Sequence, residues 1–160
     1  MSLNIQEYYK KLIFQKKKKP REVFSQLKNN ENYQNMKKAI SAFNNLPMYH
    51  QYIYGKPLPK SYQELGNNKK LYLIDSLQQE INWLTIVIEK YSKEINSFLN
   101  HKNSFEKNFL LGNYKEAHLA IQKSNKICYS LWSIESSLLL AEQEGGFEKN
   151  KQFLNEVNKN

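Results

Sequence analysis

An all-α fold is what this sequence predicts, on three grounds. Apolar residues recur every three or four positions almost throughout. Gly, Pro and Asn pairs fall between those runs, where helices need to stop. From Lys69 to Leu99, the clearest element, alternate residues do not share polarity, so a strand is excluded there. The chain has 160 residues, 40% of them hydrophobic and 13% aromatic, enough for one domain with its own core. We therefore expect a single all-helical domain over 1–160, with basic helices and a Tyr/Pro-rich loop in 1–68 and a long helix plus helical hairpins in 69–160. The architecture expected is an antiparallel helical bundle grading into a helical-repeat, α-solenoid-like C-terminal half. It has about eight helices and one long irregular loop.

Ile5, Tyr8, Tyr9, Leu12 and Ile13 form the first amphipathic stripe. It runs into Lys16–Lys19 and Pro20, where adjacent ammonium groups repel and the residue before proline leaves the helical basin. Pro20 suits the first turn of a second helix, which carries Val23, Phe24 and Leu27 and ends at Asn29–Asn30. Tyr33, Met36, Ile40 and Phe43 make a third, ended by Asn44, Asn45 and Pro47. The stretch from Leu46 to Asn68 holds Pro47, Gly55, Pro57, Pro59 and Gly66 and reads as an irregular loop, too long to be a passive connector.

From Lys69 to Leu99 the spacing predicts one long helix. Ile74, Ile81, Ile88 and Ile95 alternate with Leu77, Leu84, Tyr91 and Phe98 in the a and d positions of a heptad. Trp83, Ile86 and Val87 widen the apolar face beyond such a seam and favour packing inside the molecule. A homodimer through the long helix is the alternative. Four shorter helices follow: one around Phe105 and Phe109, one from Tyr114, one around Leu131–Ala141 that Gly145–Gly146 terminates, and one from Phe147 to Val157.

The formal net charge is +9, and Arg21 is the only arginine among 24 basic residues. Residues 1–70 carry fourteen Lys or Arg against four acids, whereas 71–160 carry ten against eleven. Lys, Asn, Ile and Tyr share A/T-rich codons, so base composition accounts for part of the lysine excess. It does not account for the excess falling in one half, where an anionic partner would dock. A lone arginine offers few bidentate forks for reading base edges, so sequence-specific duplex recognition is not expected.

The candidate partner or nucleic-acid contacts are Lys16, Lys17, Lys18, Lys19, Arg21, Tyr49, Tyr52, Tyr54, Lys56, Lys60 and Tyr62, in which rings interleave with cations. Rings stack on unpaired bases and cations follow phosphates. The competing reading is that the tyrosines pack as a strap on the long helix.

Chemistry-bearing residues are sparse. Asp75 is the one aspartate, too few for a two-metal acidic cluster. His50, His101 and His118 lie in separate elements without ligand spacing, and there is no glycine-rich phosphate loop. Cys128 and His118 are a conceivable nucleophile pair, but Cys128 falls at the start of a core face and reads as an inert thiol. We expect no catalytic residues, no metal and no cofactor. No apolar run reaches the roughly 18 residues of a membrane span, and the opening residues lack a signal-peptide apolar core, so a cytoplasmic chain is expected.

Gly112-x-Tyr114-x-x-Ala117-x-x-x-Ile121 returns 33 residues later as Gly145-x-Phe147-x-x-Asn150-x-x-x-Leu154. Over about residues 105–157 this resembles the centre of a tetratricopeptide-type helical repeat. In that pattern glycine makes the turn between helices, the aromatic fills the cleft and the small residue lets backbones approach. Asn150 departs from it, since alanine is expected there. The resemblance implies an α-solenoid offering a surface to a protein partner. The function expected is a non-enzymatic protein–protein interaction or scaffold/adaptor module, a subunit of a larger assembly. The alternative is a nucleic-acid-binding accessory protein that holds RNA or single-stranded DNA through its basic N-terminal half, without strong sequence specificity.

Overall fold

The computed structural model of the chain describes residues 4–65 and 76–159. Among them are nine helices and no strand, so the fold is all-α. The helices are α1 (Ile5–Phe14), α2 (Pro20–Asn30), α3 (Tyr33–Ser41), α4 (Pro47–Ile53), α5 (Tyr62–Leu65), α6 (Leu77–Lys90), α7 (Ser92–Leu110), α8 (Tyr114–Ile127) and α9 (Leu131–Lys159). Where one domain is expected, the described chain divides into two compact units. The first takes in 4–57 and 76–91, the second 58–65 and 92–159.

The first unit is built as its sequence dictates. Asn4 caps α1, its side chain accepting from the Gln6 N–H at 3.2 Å, and Asn32 caps α3 by accepting from the Asn35 N–H at 3.0 Å. Pro20 opens α2 at the position where a missing N–H costs nothing. The stripes of α1, α2 and α3 converge: Tyr9, Leu12, Val23, Phe24, Leu27, Met36 and Ile40 are buried together with Phe43. Phe24 and Phe43 meet edge to face at 5.2 Å, and Phe43 meets Tyr49 at 5.6 Å. Each such side chain contributes about 1.5–3 kcal/mol by leaving water.

Two expectations need correction here. The stretch from Leu46 to Asn68 is not one irregular loop, because it contains α4 and α5. Pro47 acts like Pro20, as a helix opener, and Tyr49 and Ile53, one turn apart, turn the helix inward. Gly66, Asn67 and Asn68 lie outside the described residues, as do Lys69 and Ile74 of the expected long helix. That helix is also not single. Its backbone leaves the helical region at Tyr91 (ψ 16°), and α7 then runs on to Leu110, absorbing the short helix expected around Phe105. α6 sends Trp83 and Ile86 into the first unit's core, while α7 sends Phe105 into the second's, so the two segments answer to different cores.

In the second unit α7, α8 and α9 pack in succession around Phe105, Ala117, Ala120, Ile121 and Leu140. Phe105 stacks on Phe109 at 5.4 Å, and the Trp132 ring meets Phe98 and Phe105 edge to face. Gly112, at φ +74°, makes the α7–α8 turn in the left-handed region that glycine enters without strain. α9 opens on a reciprocal serine cap: Ser133 N–H donates to Ser130 Oγ and Ser130 N–H to Ser133 Oγ, both at 3.1 Å. Gly145–Gly146 interrupts α9 with non-helical angles, the break that a glycine pair predicts.

Candidate interaction surfaces

The eleven candidate contact residues separate into three groups. Tyr49 and Tyr54 are buried in the first unit's core, at 7% and 6% exposure. Tyr49 is ringed by Phe14, Phe24 and Phe43, and Tyr54 donates its hydroxyl to Asn44 Oδ1 at 2.9 Å. Burial, then the neighbouring Tyr91, raises the Tyr54 phenol above its ordinary pKa. These two rings hold α4 in place and present no face to a ligand, which corrects their expected role as contacts.

Lys60 and Tyr62 belong to the second unit and are engaged there. The Lys60 ammonium donates to Ile127 O at 2.6 Å, placing a cation on the negative end of α8. Its backbone N–H donates to Glu64 Oε2 at 2.7 Å. The Tyr62 ring stands edge-on to Tyr129 at 4.5 Å. Burial raises its phenol pKa, with hydrogen bonds from Asn125 and Ser133 acting the other way. Segment 59–65 is thus a strap over the end of α8.

Lys16, Lys17, Lys18, Lys19, Arg21, Tyr52 and Lys56 remain exposed. The lysine turn is folded back onto α1, since Lys16 N–H donates to Lys11 O at 2.9 Å and Lys18 N–H to Leu12 O at 3.1 Å. Lys17 takes φ +50°, a left-handed conformation that costs a side-chain-bearing residue about 1–2 kcal/mol. Two exposed apolar side chains that sequence reasoning missed flank this region: Phe14 at 51% and Met48 at 66%. The signal for Met48 is its place one turn before Tyr52 on a helix opened by Pro47.

The second surface lies on α6. Its inward side is fixed by Trp83, whose indole N–H donates to Ile53 O at 3.0 Å, with Ile86 beside it at 5% exposure. Lys28 pairs with Glu80 at 2.6 Å and sits over the Trp83 ring. At the C-terminal end Glu89 accepts from the Tyr33 hydroxyl and the Lys37 ammonium, each at 2.6 Å. Lys37 first and Tyr33 second hold the Glu89 carboxyl below its ordinary pKa. The outward side carries Leu77 (77% exposed), Ile81 (47%), Leu84 (48%) and Ile88 (57%). These are heptad-seam residues expected to pack inside the molecule; the structure puts Trp83 and Ile86 inside instead.

The repeat residues also separate. Ala117 and Ile121 are buried, and Tyr114 packs against their cluster beside Phe109. Phe147 is 77% exposed and Leu154 44%, and no residue after Gly146 joins either core cluster among the described residues.

Cys128, His118 and His50 each have a neighbouring polar partner. Cys128 donates its thiol to Tyr129 O at 3.1 Å, and burial raises its pKa against the opposing effect of Lys60. His118 Nε2 accepts from Gln122 at 2.9 Å, and His50 Nε2 lies 2.9 Å from Asn44 O. No three His, Cys, Asp or Glu side chains cluster as metal ligands among the described residues, and none of their helices is long and apolar enough to cross a membrane. Comparison of the chain with protein-family models, curated proteins and solved structures finds no match.

Proposed function

We propose that the chain is a non-enzymatic protein-interaction module whose docking face is the outward side of α6, paired with α6 of a second copy. One observation carries this reading: Leu77, Ile81, Leu84 and Ile88 stand exposed at spacings of four, three and four, on a face without a charge. The other outward residues up to Ile88 are Gln78 and Thr85. Both are satisfied within their own helix: Thr85 Oγ1 donates to Ile81 O at 2.8 Å, and Gln78 donates to Asn82 at 3.1 Å. Burying this face therefore strands no charge, which in a chain of net charge +9 is an uncommon property.

The seam also suits its own copy. Ile at a and Leu at d is the pairing that favours two parallel strands. The four side chains expose roughly 400 Å² of apolar surface, about half of what one partner contributes to a standard interface. A free helix of 14 residues would be marginal in water. α6 is held helical by its inward side, so docking avoids that cost. The helical-hairpin reading of α7–α9 as a repeat stays part of this proposal and is supported by the packing of Tyr114, Ala117 and Ile121.

Sedimentation equilibrium tests it. The wild-type chain should dimerise in the micromolar range, and the double variant Ile81→Glu, Leu84→Glu should be monomeric with unchanged helix content. A wild-type chain that stays monomeric up to about 100 μM overturns the reading.

A further inference from the structure

We propose that the turn between α1 and α2, with the exposed face of α4, binds single-stranded nucleic acid without sequence specificity. Four consecutive lysines, Lys16 to Lys19, are exposed, and none of them forms an ion pair among the described residues. In the same unit Lys28 and Lys37 are paired, with Glu80 and Glu89. Lys19 is moreover the N-cap residue of α2, where a cation faces the positive end of the helix and its side chain makes no cap bond. The four side chains thus form no ion pair or cap bond among the described residues, and only the backbone of the run ties it to the fold.

A repelling run normally extends. Here the backbone bonds to Lys11 and Leu12 close it into a fixed turn, with Lys17 left-handed, and so concentrate positive charge.

Rings stand beside that charge. Phe14, two residues before the run, is half exposed and meets Tyr49 edge-on at 6.0 Å, which places the end of α1 against α4. Tyr52 (43% exposed) follows Tyr49 by three residues, so it stands on the adjoining part of the same short helix. Buried Tyr49 is thus the anchor; Phe14 is one exposed ring, two residues before the lysine run, and Tyr52 is a second on the short helix that Phe14 touches. Phosphates lie along the lysines while unpaired bases stack on the rings. A duplex hides its base faces and would use the lysines alone. Stable anchoring on an anionic membrane would need an apolar signal beside the lysines, and exposed Gln15 and Gln51 stand among the exposed rings here.

The probe is a fluorescein-labelled oligouridylate of about 20 nucleotides, read by anisotropy with the full chain. Four phosphate contacts at a slope of about −0.7 each predict a loss of roughly fifty-fold in affinity between 50 and 200 mM salt. Lys16, Lys17, Lys18 and Lys19 all changed to Gln should flatten that slope. Phe14→Leu with Tyr52→Leu keeps apolar contact, so it should leave circular dichroism and the salt slope unchanged. It should weaken binding at least tenfold, the loss of stacking for two bases. The proposal is overturned if the oligouridylate does not bind at 50 mM salt or if the ring variant binds as tightly as wild type. Equally tight binding of a duplex of the same length, or preference for phosphatidylserine vesicles over the oligonucleotide, overturns it as well. Dimerisation through α6 is scored separately on the same samples, so either result can fail alone.

Discussion

Replacing Trp83 by Phe should cost the first unit about 2–4 kcal/mol, and the sum can be built from two contributions. Trp83 is 7% exposed, and its indole N–H is 3.0 Å from the carbonyl of Ile53, the last residue of α4. Carbonyls at a helix end have no helical donor, and residue 57, four positions on, is proline and has no N–H to give. Losing the indole therefore strands a buried acceptor, at about 1–3 kcal/mol. The smaller ring leaves a void worth about 1 kcal/mol more. Lys28, now over the Trp83 ring, keeps its pairing with Glu80, so that contribution largely survives. The assay is urea denaturation followed by far-ultraviolet circular dichroism. Trp132 of the second unit supplies an internal fluorescence reference through its contacts with Phe98 and Phe105. A loss of stability below about 0.5 kcal/mol would refute the claim that the indole fixes which side of α6 faces inward.

Two further outcomes are expected. Tyr9, Tyr54 and Tyr62 all have phenol pKa values raised above the ordinary 10.0, chiefly by burial. A raised folded-state pKa means their contribution is intact below pH 10 and declines as pH rises through and beyond it. Unfolding free energies from urea denaturation should be insensitive to these groups up to about pH 9 and then fall, by at most about 1.4 kcal/mol per pH unit for each group. In Tyr54→Phe the alkaline fall should be shallower, and an unchanged fall would count against it. Gly112→Ala should cost about 1–2 kcal/mol through φ +74° alone, because an added Cβ meets nothing within 4 Å. A urea midpoint for Gly112→Ala equal to that of the wild type would discredit the strain argument.

The sequence made the early helices legible because their signals are local. Pro20, Asn4 and Asn32 start helices by chemistry confined to one turn, and the stripes of α1 to α3 point to one side. Reading Pro47 as a breaker hides α4, yet like Pro20 it opens a helix, and the buried residues Tyr49 and Ile53 follow one turn apart. The Lys60 strap was not legible, because its partner carbonyl at Ile127 is 67 residues away and a backbone acceptor leaves no trace in composition. Among the contact candidates, interleaving of rings and lysines could not tell Tyr49 and Tyr54 from Tyr52. Helical geometry separates Tyr49 from Tyr52: positions 49 and 53 share one face, and Met48 and Tyr52 the adjoining one, while Tyr54 is the C-cap residue and lies outside that pattern.

α6 shows why period alone leaves a helix ambiguous, and the ambiguity ties stability to association. At 100° per residue, Leu77, Ile81, Leu84 and Ile88 centre roughly 130° from the centre of Trp83, Ile86 and Val87, so both sides of the helix are apolar. Transfer energy favours burying either. What separates them is a directional bond: only Trp83 carries an N–H that can reach the orphaned Ile53 carbonyl, while the seam residues have no polar atom to offer. The inward side is chosen by that bond, and the outward side is left exposed as a consequence. Weakening the Trp83 anchor should therefore weaken α6 pairing too, even though no seam residue is altered, because a seam that must first be ordered loses the advantage of a preformed one. If Trp83→Phe lowers unfolding stability yet dimerises with wild-type affinity, the two sides of α6 are energetically independent, and the coupling argued here does not exist.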